Sequence, residues 1–233
     1  METPIRDNGT DYSAIAVNLG VIRSSLPAGV ELVAVSKFHP VEALLAAYNA
    51  GQRCFGESRV QELVAKVPEL PADIRWHFIG HLQRNKVRQL VPLRPLIESV
   101  DSLRLLDAID SASADAGVVT RVLMQVHVAA EETKFGFAPE ELLEYFVSHG
   151  YDKLKATHIC GVMGMATNTD DEERIAEDFT AIRGSFDQIR RMCPDLRGFD
   201  IVSMGMSDDY QLAIAHGSNL VRVGTAIFGP RQY

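Results

Sequence analysis

The sequence predicts one (β/α)8 barrel of the TIM type preceded by an extra N-terminal helix, and three observations predict it. Eight short apolar runs rich in β-branched residues alternate with helical patterns along the chain. Parallel strands need helical crossovers, and a chain in which strand and helix alternate throughout fits a closed parallel barrel. The length, 233 residues, suits one such barrel, which commonly takes about 250 residues. No linker rich in Pro, Gly or Ser, shift of composition or short-period repeat divides the chain, so residues 1–233 read as a single domain. A doubly wound open sheet is the alternative architecture.

The elements follow in order. Tyr12, Ile15, Leu19 and Ile22 fall three or four residues apart, one face of an amphipathic helix over about 10–25. Residues 31–36 read as the first strand, followed by the stripe Val41, Leu44, Leu45 and Tyr48 and a stop at Gly51. The second strand is 53–55, with the stripe Val60, Leu63, Val64 and Val67 after it. The third is 74–79 with a helix over about 82–90, and the fourth is 96–99 with a helix capped at Asp101 or Ser102. Strands five to eight are 121–128, 154–161, 199–203 and 219–223, with helices near 139–147, 171–192 and 207–216 between them. In the longest helix Ile175, Phe179, Ile182, Phe186 and Ile189 recur in alternating steps of four and three.

Composition excludes several classes of function. With 46% hydrophobic and 23% charged residues the chain can build a core. The net charge is −8 and no basic run or stripe follows a phosphate backbone, which argues against nucleic acid. Residues 1–10 are polar, and no stretch approaches the roughly 18 apolar residues of a membrane span, so a soluble cytoplasmic protein is expected. Cys54, Cys160 and Cys193 are far apart with no Cys-x-x-Cys spacing, which suggests reduced structural thiols, Cys54 and Cys160 buried, rather than disulfides or zinc. His77 and His81 are four residues apart, but Gly80 interrupts the segment and no metal site is expected.

In a barrel of this type the site forms at the C-terminal ends of the strands, and phosphate is commonly held after strands seven and eight. Lys37 directly continues the apolar run Val33-Ala34-Val35-Ser36. A lysine there is costly unless something uses its amine. A desolvated ammonium gives up its proton more easily and becomes a nucleophile towards an aldehyde; a lysine reaching from the strand end to solvent is the plainer alternative. After strand seven, Ser203-Met204-Gly205-Met206-Ser207 precedes Asp208 and Asp209 at a helix start, where small residues let backbone N–H groups approach an anion. The plainer reading is a helix capped by Ser207, and the two aspartates would repel a phosphate that they faced. After strand eight, Arg222 and Gly224 share one face of Arg222-Val223-Gly224-Thr225, so an inward arginine can meet a ring nitrogen while Gly224 and Thr225 hold a phosphate. A structural ion pair is the alternative for Arg222. The simplest ligand common to these three signals is an aldehyde that bears a phosphate.

At these residues the sequence resembles the pyridoxal phosphate homeostasis protein family, which shares its barrel with the N-terminal domain of alanine racemase. The resemblance covers almost the whole chain. It is carried by Ala34-Val35-Ser36-Lys37, Phe55-Gly56-Glu57, Val60-Gln61-Glu62, Trp76-His77-Phe78-Ile79-Gly80-His81-Leu82-Gln83-Arg84-Asn85-Lys86, Ser99-Val100-Asp101, Lys134-Phe135-Gly136, Gly161-Val162-Met163, Ser203-Met204-Gly205-Met206-Ser207 and Arg222-Val223-Gly224-Thr225 with Ile227-Phe228-Gly229. It implies that Lys37 holds pyridoxal 5′-phosphate as an internal aldimine, that Arg222 faces the pyridine nitrogen, and that Ser203, Gly205, Gly224 and Thr225 lie near the phosphate, with Ser207 as an alternative source of the hydroxyl. Ser58 stands where the family usually has an asparagine thought to face the cofactor, so that contact becomes shorter or water-bridged. Met165-Ala166-Thr167 lacks a proline common in the family, which implies a looser loop.

An arginine at the pyridine nitrogen keeps its proton, so the ring is a weaker electron sink than beside a carboxylate. Alanine racemases also use such an arginine, but take a second acid/base, a tyrosine, from a further β domain of the partner subunit. This chain ends at Tyr233 soon after strand eight. The resemblance therefore implies a protein that stores, buffers or delivers the cofactor, with apo forms of enzymes that use it as candidate partners and a monomer expected. A low-activity amino-acid racemase is the alternative, and a barrel with no ligand is a third.

Overall fold

The computed structural model describes residues 12–130 and 135–230. The polar N-terminal residues, the first two positions of the expected N-terminal helix, Lys134 and Tyr233 lie outside the described residues. Strands β1 (Glu31–Val35), β2 (Cys54–Glu57), β3 (Arg75–Phe78), β4 (Leu96–Val100), β5 (Thr120–Val126), β6 (Thr157–Gly164), β7 (Ile201–Ser203) and β8 (Leu220–Val223) pair in sequence order. All pairs are parallel, and β1 closes on β8 with Val33 opposite Arg222. The helices are α1 (Ser13–Ser25), α2 (Val41–Asn49), α3 (Val60–Lys66), α4 (Val87–Leu90), α5 (Leu103–Ala116), α6 (Pro139–Val147), α7 (Glu172–Met192), α8 (Tyr210–Ala215) and α9 (Thr225–Phe228). None of the described helices is long and apolar enough to cross a membrane.

Side-chain alternation along the strands divides the apolar residues in two. Leu32 and Ala34 join Phe55, Phe78, Ile97 and Val122 in the large core shared with the helices. Val33, between them, joins Cys54, Leu96, Leu123, Cys160, Met163 and Leu220 in a small core that fills the barrel interior. All three cysteines are buried and unbridged. Helix α1 packs the expected stripe Ile15, Leu19 and Ile22 inward, each side chain contributing roughly 1.5–3 kcal/mol. Asn18 Nδ2 donates to Ile227 O of α9 at 3.0 Å, which ties the extra helix to the end of the barrel.

Three expected boundaries move. Strand β6 starts at Thr157 rather than 154, because the Asp110 carboxylate accepts the Lys155 and Ala156 N–H groups and holds that segment out of the sheet. It then runs on to Gly164, with a register shift at Gly161 that leaves Cys160 without a partner residue in the ladder with β5. The expected helix over 82–90 shrinks to α4, flanked by the 3-10 turns Arg84–Lys86 and Val91–Leu93, the second built around Pro92. The helix expected from 207 begins at Tyr210, because Met206 N–H donates to Asp209 Oδ1 and Ser207 turns towards β8.

Gly161 has φ +156°, and a Cβ there would stand 1.9 Å from the Ile201 carbonyl oxygen of the neighbouring strand. Gly161→Ala is expected to destabilise the fold by at least about 2 kcal/mol. Gly184, inside α7 with open space around it, is the opposite case: Gly184→Ala is expected to add about 0.5–1 kcal/mol. Urea unfolding of both variants measures the two signs.

Candidate functional site

A cavity of about 260 Å³ opens at the C-terminal ends of the strands. Of the residues singled out in the sequence, Lys37, Ser207, Arg222, Gly224 and Thr225 line it, and Ser58, Ser203 and Gly205 do not. Val35, Ile79, Met163 and Met165 give it apolar walls, and Asp208 is an exposed member of its rim.

The loops after β7 and β8 are joined, since Gly224 N–H donates to Ser207 Oγ at 3.2 Å. Their glycines answer to packing. A Cβ on Gly205, at φ +98°, would lie 2.6 Å from Ala213 Cβ, and one on Gly224 would lie 3.2 Å from the Val35 carbonyl oxygen. Gly205 therefore lets α8 come close and Gly224 lets β8 pass beside β1. Ser58 belongs to another part of the rim, where its carbonyl oxygen would sit 2.1 Å from a Cβ on Gly80, so the loops after β2 and β3 pass close together there.

Arg222 is only 4% exposed. Burial pulls its pKa down and the nearby Glu98 and Asp209 carboxylates pull it up, with burial the larger. Its Nη2 donates to Gly164 O at 2.9 Å and its Nη1 to Ser203 Oγ. Ser203 in turn donates to Glu98 Oε2 at 2.6 Å, so a hydroxyl bridges an ion pair whose charged atoms are 3.7 Å apart. Ser203 is thereby committed to Arg222 and Glu98 rather than to the cavity. Burial would raise Glu98, but the His77 hydrogen bond, the Arg222 charge and Ser203 together hold it below the usual carboxylate range. As an ionised carboxylate it accepts from His77 Nδ1 at 2.6 Å, which assigns the proton to that nitrogen. Below His77 lies Cys54, whose thiol donates to Glu31 Oε1 at 3.0 Å and is pushed up by burial, then by Glu31. A polar thread thus runs down the barrel from Arg222 at the mouth to the Glu31–Arg75 pair at the other end.

Lys37 is half-buried on a turn that continues β1, in which His39 N–H donates to Ser36 O at 3.1 Å. Phe38 has φ +67°, a left-handed conformation that costs a side-chain-bearing residue roughly 1–2 kcal/mol. Three charged residues gather behind this turn. Lys66 Nζ donates to Ser36 O at 3.0 Å, Glu57 Oε1 at 2.8 Å and Glu62 Oε2 at 3.3 Å. Glu57 Oε1 also accepts from Ser36 Oγ at 2.6 Å, and Glu62 Oε2 from Phe38 N–H at 2.9 Å.

The two histidines part company. His77 is inside the barrel, whereas His81 is exposed, bonds Asp101 at 2.9 Å and stacks on Phe135 at 4.0 Å. Among the described residues no group of three or more His, Cys, Asp or Glu is placed to hold a metal. Sequence reasoning missed Glu98, Glu57, His77 and Lys66 as parts of the site. The signal for Glu98 was present: a lone carboxylate inside the apolar run Leu96-Ile97-Glu98-Ser99-Val100, which a parallel strand buried on both faces does not carry without a partner.

The alanine racemase N-terminal domain model matches residues 10–232. The chain is 42% identical over 201 residues to the pyridoxal phosphate homeostasis protein of Helicobacter pylori, covering 85% of this chain and 87% of that one. It is 38% identical over 229 residues to the protein of that name from Schizosaccharomyces pombe, covering 94% of each. The solved structure of PipY from Synechococcus elongatus with pyridoxal phosphate (PLP) bound superposes with a TM-score of 0.85 at 37% identity, over 92% of this chain and 100% of that one. Alanine racemase from E. faecalis shares the fold, with a TM-score of 0.72 at 20% identity over 94% of this chain and 58% of the racemase.

Glu57 is fully buried, and burial, opposed by Lys66 and Ser36, raises its pKa from 4.5 to about 7. A carboxyl raised in this way keeps its proton in the fold after the unfolded chain has lost it. Its contribution to stability is therefore complete below about pH 4.5 and lost as pH rises through about 7. Glu57→Gln imitates the protonated form at every pH. Its Tm is expected to gain on the wild type as pH rises from 4.5 to 7 and to hold a constant difference above that; thermal unfolding across the range shows a flat difference if Glu57 titrates normally.

Proposed function

This chain belongs to the pyridoxal phosphate homeostasis protein family, built on the alanine racemase N-terminal domain, and on that premise we propose that it binds pyridoxal 5′-phosphate at the barrel mouth and maintains the intracellular pool of that cofactor. The observation that carries the reading is the convergence of Lys37, Arg222 and the joined Ser207 and Gly224–Thr225 loops on one cavity of about 260 Å³.

The donor set fits the group. A primary amine suits an aldehyde, a guanidinium, all donor and no acceptor, suits an unprotonated ring nitrogen, and hydroxyl and backbone N–H groups suit phosphate oxygens. The apolar walls at Ile79 and Met163 suit the flat faces of a ring, and the volume is close to the lower end, roughly 300 Å³, of small-molecule sites. When bound, the cofactor supplies an aldehyde that condenses with an amine to a Schiff base with loss of water. Lys37 gives that amine. Arg222, held from behind by Ser203, Glu98 and Gly164, donates to the ring nitrogen and keeps its own protons at neutral pH. The Ser207 and Thr225 hydroxyls and the N–H groups around them hold the phosphate. Asp209 is turned to the Met206 N–H, and Asp208 stands at the exposed rim, where water screens its charge.

A guanidinium at the ring nitrogen is shared with alanine racemases, so it is the family membership that favours holding the cofactor over carbanion chemistry. The protein then acts in the cytoplasm as a single-domain, monomeric store or donor that passes the cofactor to apo forms of the enzymes that use it.

On mixing with the cofactor, the wild-type protein is expected to develop the absorbance of lysine-bound pyridoxal phosphate, and Lys37→Ala to lose it while keeping its fold by circular dichroism. A Lys37→Ala protein with the full band contradicts the assignment. Enzyme-like exchange of amino-acid α-protons in D2O by the loaded wild type favours a racemase instead.

A further inference from the structure

Binding of the cofactor uses Lys37 but not the polar cluster packed behind it, and that cluster is costly to bury. Lys66 has a side chain only 9% exposed, and Glu57 is fully buried with Oε2 lacking any hydrogen-bond partner among the described residues. Replacing such a buried cluster by apolar side chains is often neutral or stabilising, so stability alone is a weak reason for it. Its contacts point elsewhere. Every backbone or hydroxyl group it grips belongs to Ser36 or Phe38, the two neighbours of Lys37: Lys66 takes the Ser36 carbonyl, Glu57 the Ser36 hydroxyl and Glu62 the Phe38 N–H. The left-handed Phe38 is what swings the chain out of β1, and it is also covered by Arg59, whose guanidinium carbon lies 4.5 Å from the centroid of its ring.

We propose that Lys66, with Glu57 and Glu62, is a positioning cluster that clamps the backbone on both sides of Lys37 and so aims its amine into the cavity; this rests on the reading of Lys37 as the attachment point. The cluster touches neither the cavity nor the ligand and acts only through the turn. Its loss therefore affects formation of the carbon–nitrogen bond and leaves non-covalent binding by Arg222 and the phosphate loops in place.

The test separates those two steps by stopped-flow absorbance with pyridoxal phosphate, which can form the bond, and by equilibrium binding of pyridoxine phosphate, which has an alcohol in place of the aldehyde. Lys66→Met is expected to slow bond formation by about tenfold or more while changing pyridoxine phosphate affinity by less than about threefold, because misorientation of a reacting group costs rate rather than binding. Glu62 is less buried, with a side chain 21% exposed, and covers the case in which Lys66→Met does not fold. Glu62→Gln keeps an acceptor for Phe38 N–H and is expected to behave nearly as the wild type, whereas Glu62→Leu is expected to slow bond formation and to speed hydrogen exchange of the Phe38 amide in the ligand-free protein. Wild-type rates in Lys66→Met or Glu62→Leu, or equal losses with both ligands, overturn the proposal. Lys37→Ala is the separate control: if it still forms the bond, the attachment reading has failed, whatever the Lys66 variants do.

Discussion

A guanidinium buried inside a barrel is the constraint around which the upper half of this molecule is arranged. A charge removed from water must be paired and its donors satisfied. The interior answers with a carboxylate from β4, a hydroxyl from β7 and a carbonyl from the end of β6. Glu98 is itself too deeply buried to stand on one partner, which brings in His77 from β3. One residue of β8 thus ties together side chains or backbone from five of the eight strands, and its head group is fixed before any ligand arrives.

The opposite wall is fixed by different means. There the chain leaves β1 through a left-handed residue, and the turn is held from behind by groups of β2 and α3 rather than from within the barrel. The two polar clusters leave an apolar gap between them, walled by Val35, Ile79 and Met163. A flat ring with a nucleophile's target at one edge and an acceptor nitrogen at another matches that division. That division suits holding a ligand: the guanidinium on one side is a poor proton carrier, and the chain beside the amine on the other is tied down by its neighbours.

Much of this was legible in the sequence. Local periodicity exposed the eight strands and most of the helices, because β/α units are made by contacts close in sequence; α6 spans 139–147 as its pattern indicates, and α7 begins at Glu172 behind its Asp171 cap. Lys37 and Arg222 stood out as charges at the ends of apolar runs. What stayed hidden depends on distant partners. Ser203 reads as a phosphate donor until Glu98, far away in the chain, claims its proton. The stripe Val60, Leu63, Val64 and Val67 reads as the inward face of α3, yet α3 buries Lys66 beside Val60 and Leu63 and leaves Val64 42% exposed. The start of β6 was misplaced because the Asp110 side chain, not the local hydropathy of 154–156, decides where pairing with β5 begins.

Borohydride reduction of the cofactor-loaded protein followed by peptide mass spectrometry makes the bond permanent and identifies the residue that formed it. A single pyridoxyl adduct, on Lys37, is expected. An adduct on another lysine with Lys37 unmodified, or no adduct at all, contradicts it.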